Sequence, residues 1–143
     1  MKTAHLHDVW TSPDNSRLVS KQFSFRLPVH VAAKIAALEN MYPQKNRTQI
    51  VADLLTAALE NLELNLPVQK GQPLSYEEEQ LERQIADYQG YDYEQLYMVN
   101  GKREEYRNLV NKFYKELERE LGNDKPENIY HDKLWFKQAD FDK

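Results

Sequence analysis

Between residues 20 and 27 (SKQFSFRL) apolar and polar side chains alternate. Phe23, Phe25 and Leu27 fall on one side and Gln22, Ser24 and Arg26 on the other, the period of a half-buried strand. Pro28 ends the alternation, because proline donates no ladder hydrogen bond yet suits a first helical turn. The period then lengthens. Val31, Ile35 and Leu38, with Ala32 and Ala36 between them, predict a helix over 28–40. Tyr42-Pro43 stops it, since the residue before proline is pushed out of helical geometry. Asn46-Arg47-Thr48-Gln49 reads as a capping box opening a second helix, which carries Ile50, Val51, Leu54, Leu55, Ala58, Leu59 and Leu62 on a wide stripe.

The flanking regions are patterned differently. Residues 1–19 have no sustained period and contain the turn signal Ser12-Pro13-Asp14-Asn15-Ser16, which predicts a flexible arm. Two prolines and a glycine in 66–74 predict a linker. Ser75 is placed to cap a helix over 75–89, with Glu77, Glu78 and Glu79 at its positive end and Gly90 at its stop. Residues 92–98 predict a short helical turn. Residues 101–121 predict a longer helix with Tyr106, Leu109, Val110, Phe113, Tyr114 and Leu117 on one face. The expected organisation is an arm at 1–19, a domain at 20–65, a linker at 66–74 and an acidic, mostly helical extension at 75–143.

A lone strand with one apolar face needs a partner. The simplest partner is a second copy of the chain, pairing antiparallel about a two-fold axis so that four helices cover the ribbon's apolar face. Phe23, Phe25, Leu27, Ile35, Ile50 and Leu54 would then form the dimer core, leaving Gln22, Ser24 and Arg26 on the outer face.

Residues 20–64 resemble the ribbon-helix-helix proteins of the Arc/MetJ/CopG type. The resemblance rests on the alternating strand ending Arg26-Leu27-Pro28, the Ala-rich first helix, and the polar Asn46-Arg47-Thr48-Gln49 opening of an apolar second helix. The chain departs from that family in having no glycine in the turn over 40–45. The resemblance implies a mainly α fold, a dimer with one intermolecular β-ribbon, and double-stranded DNA as partner, read in the major groove. Gln22, Ser24 and Arg26 would contact bases, Arg26 as a fork to guanine and Gln22 to adenine. Lys45, Asn46, Arg47 and Thr48 would contact phosphates at the start of the second helix. The expected role is a prokaryotic transcriptional repressor or autoregulator, including antitoxin-like or plasmid accessory settings. In the alternative, the fold serves only for dimerisation within a protein-interaction module.

Charge qualifies this picture. The net charge is −4, which gives DNA binding no support over the whole chain. Residues 1–64 hold seven Lys/Arg against six Asp/Glu, and the remainder twelve against seventeen. The acidity therefore belongs to the C-terminal part, which the sequence leaves either to bind a protein partner or to pack on the dimer. That part also holds an aromatic-acidic cluster, Tyr88, Tyr91, Tyr93 and Tyr97 with Asp92 and Glu94, expected to pack in the core of the extension, with a partner surface as the alternative. There is no cysteine, so disulfides and thiolate metal sites are excluded. His5, His7, His30 and His131 are scattered and predict no metal site. No nucleophile-base arrangement or Gly-rich phosphate loop is present, so neither catalysis nor a cofactor is expected. The absence of a long apolar run predicts no membrane span, and cytoplasmic localisation is the expectation.

Overall fold

The computed structural model describes residues 5–10 and 17–143. Among these the protein is mainly helical, with six helices and one three-stranded antiparallel sheet. The chain divides into two compact units, Met1–Asn65 and Leu66–Lys143.

In the first unit, α1 (Leu6–Trp10) precedes α2 (Val29–Met41) and α3 (Arg47–Asn65). Pro28 opens α2, its carbonyl accepting from the amides of Val31 and Ala32. The capping box of α3 is formed: Asn46 Oδ1 accepts from the Gln49 amide at 2.9 Å, and Gln49 Oε1 from the Asn46 amide at 3.0 Å. The connecting turn is closed by Lys45 N donating to Tyr42 O at 3.0 Å, with no non-glycine residue at positive φ. The missing glycine is thus no obstacle, because this turn requires no left-handed residue.

The core of this unit contains a contribution from the arm. Leu6 and Trp10 are buried with Ile50, and Leu38, Tyr42 and Leu54 pack against them. Trp10 Nε1 donates to Asp53 Oδ2 at 2.7 Å in a buried contact. His7 Nδ1 lies 2.7 Å from the Tyr42 hydroxyl. The expectation of a flexible arm over 1–19 is therefore corrected for residues 5–10. An indole that buries its rings and pairs its N–H has both reasons to dock. The turn signal at residues 12–16 lies outside the described residues.

The second unit orders β1 (Gln69–Pro73), β2 (Leu96–Asn100) and β3 (Trp135–Lys137) in a β1-β2-β3 sheet, with α4 (Tyr76–Gln89), α5 (Lys102–Glu120) and α6 (Gln138–Phe141). Two expectations are corrected here. The linker at 66–74 contains β1, and the helical turn at 92–98 gives way to β2, so the mostly helical extension also carries a sheet. The Gln69-Lys70-Gly71-Gln72-Pro73 strand has no alternation of its own. It becomes a strand because β2 supplies the ladder, and β2 is anchored by the fully buried Val99. Gly71 is required by that approach: a Cβ there would lie 2.8 Å from Met98 O and 2.7 Å from Asn100 Nδ2. Ser75 caps α4 by accepting from Glu78 N, and Gly90 ends it at φ 81°.

Candidate nucleic-acid interface

Residues 22–28, expected as strand for all but the last, adopt no regular secondary structure and carry no ladder in the single chain. The physical reason is the one that made a partner necessary: among the described residues, the strands that pair are β1, β2 and β3, and a ladder needs two edges. Gln22, Ser24 and Arg26 are exposed. The apolar side of the same segment is exposed as well, with Phe23 62%, Phe25 72% and Leu27 47% accessible. Large aromatics at that exposure, alternating with polar residues, form an unpartnered apolar edge.

The six expected core residues therefore divide. Ile50 is fully buried and Ile35 nearly so, while Leu54 is half-buried against the Leu6, Trp10 and Ile50 cluster. Phe23, Phe25 and Leu27 are not buried within the chain. A cavity of about 190 Å³ lies beside Leu27, lined also by Ala32, Ile35, Ala36 and Val51, with Glu39 and Arg47. On α3 the stripe is likewise only half used: Ile50 is buried and Val51 and Leu54 are half-buried, but Ala58 is exposed and Leu55, Leu59 and Leu62 are nearly half exposed.

The expected phosphate contacts also divide. Asn46, Arg47 and Thr48 are exposed at the opening of α3, where the helix dipole is positive. Lys45 is buried, at 7% accessibility, so in the single chain little of it is open to the expected phosphate contact. The exposed cation at this spot is Arg47, whose side chain is 74% accessible and pairs with Glu39 at 3.1 Å. Such an exposed pair contributes about 0–1 kcal/mol and is readily exchanged for a phosphate.

Trp10 is a residue that the sequence leaves able to dock without saying where, and its partner Asp53 escaped the sequence reading; together they fix α1 against α3. Asp53 lies on the buried side of α3, where a carboxylate is unexpected without a donor. Among the described residues no group of three or more His, Asp or Glu could hold a metal ion, and no helix is long and apolar enough to cross a membrane. No protein-family model matches the chain, and no curated protein or solved structure shows significant similarity to it.

Proposed function

We propose that the protein is a sequence-specific DNA-binding regulator that acts as a homodimer. Residues 20–27 of two chains pair as an antiparallel ribbon and enter the major groove. The observation that carries this reading is the exposure of Phe23 and Phe25 in a segment where they alternate with Gln22, Ser24 and Arg26, which are exposed as well. An aromatic edge of that kind is costly in water, and a second copy supplies both the ladder and the apolar cover. The cavity lined by Leu27, Ile35 and Val51 gives the partner's aromatic side chains a place to pack.

On this reading Arg26 forks to guanine, Gln22 pairs with adenine, and each good bidentate pair contributes about 1–3 kcal/mol of discrimination. Arg47, with the first amides of α3, holds a phosphate and sets register without reading sequence. The near-balanced charge of residues 1–64 implies few phosphate contacts, and so a shallow dependence of affinity on salt.

The test is binding of the purified protein to the DNA upstream of its own gene across a salt series, beside Arg26→Ala. The expected result is specific binding that weakens with salt, with Arg26→Ala losing sequence preference while staying dimeric. A dimer with no affinity for that DNA or for random duplex at low salt would overturn the reading. It would leave the fold as a dimerisation scaffold for protein interaction.

A further inference from the structure

The second unit concentrates its charge in one place. Residues 76–94 hold seven carboxylates, Glu77, Glu78, Glu79, Glu82, Asp87, Asp92 and Glu94, against a single cation, Arg83. The rest of the unit holds slightly more basic than acidic residues, so the whole acidity of this half comes from α4 and the loop after it.

The same helix exposes an apolar stripe. Leu81, Ile85 and Tyr88 follow one another at spacings of four and three, so they share one face. They are 61%, 44% and 92% accessible, and Tyr91 just beyond the helix is 49% accessible. The buried side of α4 is instead marked by Ala86, at 1%. A helix whose large side chains face water while its alanine faces the protein has its amphipathic face turned outward.

Beside this stripe lies a cavity of about 220 Å³, lined by Glu82, Tyr91, Asp92, Tyr93, Glu94 and Lys137. Carboxylates and tyrosine rings around one space suit a cationic group. The chain's own cations already behave accordingly. The Arg83 guanidinium lies 4.4 Å from the Tyr93 ring centre, and Lys137 Nζ lies 3.8 Å from Glu94 Oε1.

We infer that the outward face of α4 and the adjoining acidic-aromatic cavity form a docking surface for a basic amphipathic helix of another protein. Charge complementarity selects the occupant. The stripe calls for an apolar face of helical spacing, and the carboxylates that flank it call for Lys or Arg around that face. A second α4 is opposed, because it brings the same seven carboxylates to the same place. Nucleic acid and anionic lipid are opposed for the same reason. The cavity takes one Lys or Arg of the incoming helix beside Tyr91 and Asp92, the Tyr93 ring being held by Arg83, and this anchors its register along the stripe. This surface stands independently of the DNA reading, since it uses only residues of the second unit.

The experiment uses the full chain and a labelled Leu/Lys peptide in amphipathic helical order, with a scrambled peptide of equal composition, followed by fluorescence anisotropy. The amphipathic peptide binds more tightly than the scrambled one, and added salt weakens it. Leu81→Ala/Tyr88→Ala and, separately, Glu82→Gln/Glu94→Gln each reduce affinity by about tenfold. Leu81, Tyr88 and Glu94 are exposed and Glu82 is half-buried, so thermal unfolding of the variants stays close to that of the parent. Equal binding of the scrambled peptide would reduce the surface to unspecific charge and overturn the inference. So would unchanged affinity in both double variants. A fall in sedimentation mass on Leu81→Ala/Tyr88→Ala would assign the stripe to contacts between copies instead. Full competition by methylammonium, with only Glu82→Gln/Glu94→Gln effective, would reduce the site to a small-cation pocket.

Discussion

Replacing Trp10 by phenylalanine tests the docking of α1 most directly. The substitution keeps an aromatic ring in the Leu6, Ile50, Tyr42 cluster but removes the N–H that reaches Asp53 Oδ2 at 2.7 Å. Asp53 is 8% accessible, so the lost donor is not replaced freely by water. A hydrogen bond to a charged group contributes about 1.5–3 kcal/mol net, and the smaller ring leaves some space where the indole was. Together these predict a loss of about 2–3 kcal/mol from the stability of the first unit. Urea unfolding followed by far-UV circular dichroism measures it, provided the slope with denaturant is unchanged. The hydrogen bond is isolated by a double-mutant cycle. In an Asp53→Leu background the same Trp10→Phe change costs about 1–2 kcal/mol less, because the carboxylate is no longer there to be orphaned. A loss below about 0.5 kcal/mol, with a coupling near zero, would refute the docking of α1 through this pair.

Two further outcomes follow from the second unit. Gly71→Ala places a Cβ 2.7–2.8 Å from Asn100 and Met98, so it costs about 1–3 kcal/mol by forcing β1 and β2 apart, read as a lower urea midpoint. Retained stability would mean that the strands do not approach as described. The Tyr93 phenol is held above its usual value of 10.0, first by burial and then by the Glu79 charge. In the fold it therefore keeps its proton longer than in the unfolded chain. Its contribution is full below about pH 10 and is lost as pH rises through the higher folded value. Thermal unfolding across alkaline pH should show a shallower decline for Tyr93→Phe than for the parent, and parallel curves would refute the shift.

Local chemistry was legible where neighbouring residues decide it. The capping box at Asn46 and Gln49, the Ser75 cap, the Gly90 stop and the helices of α2, α3, α4 and α5 are each set by contacts within about one turn of chain. Proline at 28 and 43 acts through fixed backbone geometry, which needs no distant partner. The alternation over 20–27 also specifies which residues would share a side if the segment pairs as a strand.

Other features depended on what lies across space. The β1 segment has neither alternation nor β-branched residues, and only pairing with β2 makes it a strand. Trp10 meets Asp53 forty-three positions away, a pairing with no periodic trace. Lys45 sits in a polar turn that reads as surface, and only the tertiary arrangement places it in the interior. The same holds for the outward turn of Leu81, Ile85 and Tyr88, a stripe whose period predicts burial but not the direction it faces. Sequence period specifies which side chains stand together on an element; which of those faces is covered depends on contacts that only the folded chain, or a partner, supplies.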